Sequence, residues 1–218
     1  ADLDRSVQII DNYWLTRGLR GWGYMAAGRT LDAVAEVRAA LDLNRWGNWY
    51  SGLVAQYLLF AGDRQTALVE ARAAVERFPE VEISHMMLSV VASGVGLHEE
   101  AEAAGRRAME LAPDTPLVHT ALACALARGG RTAEATRLVE TIEAHGIAAH
   151  CPWLATAHLA LGRRDQAIDV LARAREVGSP QFVYAFVDPR LAELNGDPVF
   201  ERLRPAIRLP PLRSAGTG

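Results

Sequence analysis

The chain has 218 residues, half of them apolar, enough to bury a sizeable core in one elongated or two compact domains. A net charge of −3, with no lysine at all, sets aside a general nucleic-acid binder, because phosphate contacts need a clustered cationic excess. Two cysteines make no disulfide framework, which points to a reducing, cytoplasmic compartment, and no apolar run reaches the roughly 18–20 residues that cross a bilayer.

One period organises the chain. Gly28, Gly62, Gly96, Gly130 and Gly162 lie 34, 34, 34 and 32 residues apart. Five residues after each comes Ala33, Ala67, Ala101, Ala135 or Ala167, and seven further on Ala40, Ala74, Ala108, Ile142 or Ala174. Repetition at this length marks stacked two-helix units. In chain order, Leu3 and Ser6 fall 34 residues before Val37 and Ala40, so residues 1–11 are expected to end a preceding, truncated repeat. With no initiator Met, the chain reads as processed or as a fragment. Five helix pairs are expected within residues 12–180, over 14–47, 48–81, 82–115, 116–147 and 148–180. Their apolar residues recur at three- and four-residue steps on both sides of connections such as AGDR, Ala61 to Arg64. Glycine there suits the left-handed residue that ends a helix. The alanine columns let two backbones approach closely, and Pro79, Pro113 and Pro180 close their units. Residues 181–208 hold two helix starts, Asp188-Pro189 and Asp197-Pro198, and are expected to cap the last apolar face with Val199, Phe200 and Leu203. Residues 209–218 read as a flexible tail. A lone helix pair cannot bury its apolar stripe, so the units are expected to stack into an all-α solenoid with almost no strand.

These columns resemble the tetratricopeptide repeat, TPR, whose first helix carries Trp, Leu-Gly and Tyr and whose second carries Ala, an aromatic or aliphatic residue, Ala and Pro. The first unit has Gly21, Tyr24, Ala33, Val37 and Ala40, with Arg17 and Arg20 where Trp and Leu are usual. The second has Val54, Ala55, Leu58, Ala67, Ala71, Ala74 and Pro79; the third has Leu88, Ser89, Ala92, Ala101, Ala108 and Pro113. The fourth keeps Leu122, Ala123, Leu126, Ala135 and Val139, and the fifth Leu154, Ala155, Ala167, Leu171 and Ala174. The resemblance implies a right-handed superhelix of stacked antiparallel helix pairs, with the first helices lining a concave side where the family binds its ligands. The C-terminal segment is similar to the ends of TPR regions in bacterial multidomain regulators.

No catalytic constellation stands out. There is no phosphate loop with its Lys and no Gly-x-Ser-x-Gly elbow, and the helix from His98 lacks the second His of a zinc protease. His145, His150 and Cys151 form one metal-like cluster. Cys151 shares its lattice slot with His85 and His119, which favours packing and loop capping. Cys124, in ALACALA, reads as a small buried thiol. Glu99, Glu100 and Asp165 read as charges that suit helix starts. A non-enzymatic protein without cofactor or metal is expected.

The inner face is the remaining place for function. Helical spacing projects onto it Leu15, Gly18, Trp22 and Met25 from the first unit, then Trp49, Gly52, Gln56 and Leu59 from the second. The third contributes Ile83, Met86, Val90 and Ser93, and the fourth Leu117, Thr120, Cys124 and Ala127. The fifth contributes Ala149, Pro152, Thr156 and Leu159. Trp46 is expected at the rim, and Tyr50 is expected to turn towards the helix pair below. The partner-binding groove is thus expected to run through Leu15, Trp22, Met25, Trp49, Gln56, Leu59, Ile83, Met86 and Val90, bulky and apolar. TPR domains that clamp a terminal carboxylate use Lys, Arg and Asn there; this groove has no such clamp. The expected function is a protein-interaction module for an apolar peptide or partner helix. The alternative is the ligand-sensing domain of a larger bacterial regulator, with a small apolar molecule in the same groove. Three other occupants of the groove stay open: a neighbouring domain, the chain's own tail, or a second copy; a homo-oligomer through the exposed terminal repeat is a separate open reading.

Overall fold

The computed structural model describes residues 13–44, 48–144 and 151–204. The helix expected in residues 1–11, Trp46, His145, Ala149, His150 and the tail lie outside the described residues. Eleven α-helices are described: α1 Trp14–Ala26, α2 Thr30–Leu43, α3 Asn48–Phe60, α4 Arg64–Arg77, α5 Glu82–Val95, α6 His98–Leu111, α7 Pro116–Arg128, α8 Thr132–Ala144, α9 Leu154–Ala160, α10 Arg164–Glu176 and α11 Pro198–Leu203. Two 3-10 segments, Pro180–Phe186 and Pro189–Leu194, come between α10 and α11. Among the described residues there is no strand.

Each helix pair folds as its sequence dictates. The five lattice glycines have φ between 74° and 89°, a region costly for any residue with a Cβ, and each sits in the turn between the two helices of its unit. After Gly62, the Asp63 carboxylate accepts the Thr66 backbone N–H at 3.1 Å and caps α4. The two alanine columns lie where the helices cross: all ten positions, Ile142 included, are at most 3 % exposed. A second lattice element repeats at the unit starts. His85 Nε2–H donates to the Pro79 carbonyl at 2.7 Å, and His119 Nε2–H does the same to Pro113 at 2.5 Å. Cys151, in the same slot, is buried with its Sγ 3.4 Å from the Thr120 hydroxyl.

The first helices α3, α5, α7 and α9 pack side by side and form the inner layer, and the second helices back them. Arg38, Arg72 and Arg106, spaced by 34 residues, run along the second helices and reach Glu70, Glu100 and Glu134 of the following unit at 3.2, 2.7 and 2.7 Å. These pairs are largely solvated and set register more than stability, being worth about 0–1 kcal/mol each. Arg17 and Arg20, the departures from the repeat pattern in α1, both pair with the buried Glu36 of α2. A charged clasp there replaces apolar packing.

The C-terminal segment does more than close the last unit. α11 rests on α10, with Phe200 and Leu203 buried, though Val199 is 45 % exposed. Asp197 accepts the Val199 and Phe200 N–H groups at 2.8 and 3.3 Å, and Asp188 accepts that of Arg190 at 2.9 Å. Asp188 also holds the buried Arg190 guanidinium at 2.6 Å. The Pro180–Phe186 segment, however, turns back along the inner side and meets α1. Its Tyr184 is buried against Tyr57 and Phe60 of α3, with ring centroids 5.9 and 6.0 Å apart.

Candidate binding site

The inner helices are not evenly spaced. α1 stands off α3, and Tyr50 bridges the gap by laying its ring on Gly18, a position where any Cβ would collide with the phenol. Trp14 meets the same ring edge-on at 5.6 Å. The returning Pro180–Phe186 segment closes the far side. Between these three elements lies a cavity of about 270 Å³.

Its walls are aromatic and aliphatic: Trp22 from α1, Tyr50, Leu53 and Tyr57 from α3, Met87 from α5, Leu117 from α7, then Trp153 and Tyr184. Leu15, Leu19 and Trp49 stand at its mouth with 38, 49 and 45 % of their surface exposed. No charged side chain lines it among the described residues. Tyr57 and Tyr184 share a hydrogen bond of 2.7 Å between their hydroxyls. Burial raises Tyr184 to about 12 and, with Tyr184 beside it, lifts Tyr57 still higher; burial also raises Tyr50. All three phenols are therefore neutral in ordinary solution. Two polar groups in the wall differ. Gln56 is fully buried, and neither its amide oxygen nor its amide nitrogen has a hydrogen-bond partner among the described residues. The indole N–H of Trp153, also buried, has none either.

No protein-family model matches the sequence, and no curated protein does. Among solved structures, the chain is similar to TTC0263, a thermophilic TPR protein of Thermus thermophilus. The TM-score is 0.60 at 22 % identity, over 82 % of this chain and 99 % of that one. It is also similar to yeast Tom70, with a TM-score of 0.57 at 16 % identity, over 92 % of this chain and 45 % of that one. The chain has the tetratricopeptide-repeat fold.

In this TPR solenoid the residues projected onto the inner face divide. Leu15, Trp22, Trp49 and Gln56 come together around the cavity. Met25, Leu59, Ile83, Met86 and Val90 do not: they are buried in the core, between 0 and 6 % exposed, and none lines the cavity. The continuous groove expected through them is thus corrected to one local cavity. Two physical reasons account for this. The inner helices from α3 onward pack closely enough to bury their facing side chains, and the chain's own C-terminal segment covers the face beside them. Tyr50 is corrected as well, since it reaches back to α1 and walls the cavity. Tyr57, Trp153 and Tyr184 are cavity residues that helical spacing did not single out. Gly18 is the signal that could have revealed Tyr50, because a glycine facing a bulky ring across two helices marks a close approach.

Among the described residues, no cluster of His, Cys, Asp or Glu is arranged to hold a metal. None of the described helices is long and apolar enough to cross a membrane. Among the described residues, the cavity lining holds no nucleophile paired with a base. Its chemistry is apolar burial, with a few unmet hydrogen bonds.

Proposed function

We propose that the chain is a non-catalytic, protein-interaction module of the TPR type, whose inner face receives an apolar anchor group from a protein partner. One observation carries this reading: Leu15, Leu19 and Trp49 expose an apolar rim around a cavity that continues inward past Trp22. Isolated apolar residues on a surface are ordinary, but a cluster of them around a concave entry marks an interaction site. A Trp brings about 150–250 Å² of surface to such a contact, so Trp49 and Trp22 are the expected anchors. The returning Pro180–Phe186 segment occupies the space a full-length partner helix would need, which narrows the occupant to one or two inserted side chains. The test is binding of a purified partner, followed by tryptophan emission. The emission should shift in the wild type and not in a Trp22→Ala, Trp49→Ala double variant that keeps its helicity. Equal affinity of that variant, or a steep loss of affinity with salt, would move the binding site to the Arg- and Glu-bearing second helices.

A second reading is favoured by the same closing segment. Because Tyr184 and Gln181 wall the far side, the space is more cavity than trough, a shape suited to a small apolar molecule. A ligand-sensing domain of a larger bacterial regulator would use it in that way.

A further inference from the structure

Gln56 sits in the middle of α3 with no exposed surface, and both ends of its amide lack a partner among the described residues. Burying an unmatched amide is costly, and native chains place few such groups. Gln56 is, however, one of the residues that line the cavity, which offers a reason for it: the missing partner is a ligand group. Trp153, whose indole N–H is equally unmatched, lines the same cavity.

We infer that the cavity is a binding site for a small neutral aromatic carboxamide. This inference rests on the small-molecule reading above. Three observations define the chemistry. First, an amide offers one acceptor and two donors, so its complement must both donate and accept. A primary carboxamide does so face to face, through two parallel hydrogen bonds. Second, no charged side chain lines the cavity. A carboxylate would be buried without a cation and would lack a donor, while an ammonium would lack a counter-charge. The head group is therefore neutral. Third, the remaining walls include Trp22, Tyr50, Tyr57 and Trp153, which suit the face and edge of an aromatic ring. The volume of about 270 Å³ exceeds the roughly 150 Å³ that accommodates benzene in an apolar cavity, leaving room for a ring and its head group.

The experiment compares benzamide with α-methylstyrene, which has nearly the same shape and no polar atom, and with free glutamine, which has the head group without the ring. Binding is read on the indole N–H signals of the ¹⁵N-labelled full chain, with Trp153 assigned from Trp153→Phe. Benzamide is expected to bind about 10–100-fold more tightly than α-methylstyrene, to move the Trp153 indole signal, and to outcompete glutamine. Gln56→Leu is expected to weaken benzamide at least about tenfold and leave α-methylstyrene unchanged or tighter. Gln56→Met serves if the leucine variant does not fold. If α-methylstyrene or glutamine binds the wild type as well as benzamide, the carboxamide inference falls; with α-methylstyrene the small-molecule reading survives. If neither aromatic probe moves any cavity signal, both fall.

Discussion

Replacing Gln56 by leucine should make the free protein more stable, an unusual expectation for a fully buried core position. The two side chains have similar volumes and similar helix propensities, so α3 itself is indifferent to the change. What changes is the buried amide, which has no exposed surface and no partner for its oxygen or nitrogen among the described residues. Removing an unmatched buried polar group gains about 1–3 kcal/mol. The branched leucine must then fit beside Leu53 and Tyr57, and a reshaped contact costs up to about 1.5 kcal/mol. The net expectation is a gain of about 1–2 kcal/mol. For a chain of this size each kcal/mol moves the thermal midpoint about 2–4 °C, so the midpoint should rise by about 2–8 °C. Thermal unfolding followed by circular dichroism at the helical band, supported by urea titration, measures it. A midpoint lowered by a similar amount would mean that the amide is partnered in the folded chain. The free chain would then carry no unmet amide, and no ligand carboxamide would be needed to satisfy it.

Three other expectations address the rest of the structure. Ala101 is fully buried beside Ala92 and Ala125, and its carbonyl accepts the Ser89 hydroxyl at 2.7 Å; Ala101→Leu should cost about 1–3 kcal/mol by overpacking, and an unchanged urea midpoint would show that the helix crossing lies elsewhere. A double-mutant cycle with Tyr57→Phe and Tyr184→Phe should give a coupling of about 0.5–1.5 kcal/mol, and zero coupling would mean that the C-terminal segment does not dock through that bond. His158 is buried, and burial is the main cause that holds its imidazole below the usual histidine range; Arg163 and Arg173 push the same way, and Glu143, 3.2 Å away, opposes them. Because the folded chain resists that proton, stability should be full above pH ~6.5 and should fall as pH drops below it; a His158→Gln variant with the same acid slope would exclude this histidine as the cause.

The repeat architecture was legible in the sequence because it rests on local, periodic requirements. Gly62 must take a positive φ, Ala67 must let two backbones approach, and both needs recur every 34 residues. The ladder of Arg38, Arg72 and Arg106 follows the same step and could be read from it as well. The cavity was only half legible. Helical spacing places Trp22, Trp49 and Gln56 on the inner side, but it carries no information on how tightly neighbouring inner helices pack. For that reason Leu59 and Met86, on the same faces, end up in the core. Tyr184 lies 127 residues from Tyr57, outside any period, so no repeat pattern predicts their contact. The isolation of the Gln56 amide is set by what its neighbours fail to offer, and no single residue records that.

The return of Pro180–Phe186 to α1 changes the mechanics of the whole array. A linear stack has two free ends, and each end unit, held from one side only, opens first. Here the segment after the last described unit runs back to the first two as a strap, touching α1 and clasped to α3 through Tyr57 and Tyr184, so the described stack becomes a loop. Opening the first unit then also strips the strap, and opening the strap loosens both ends together. Backbone amides of α1 should therefore exchange with solvent as slowly as those of the middle helices, and cutting the chain after Ser179 should restore ordinary fraying. The described units, free to flex like a spring when the strap is cut, should resist changes of pitch while it is in place.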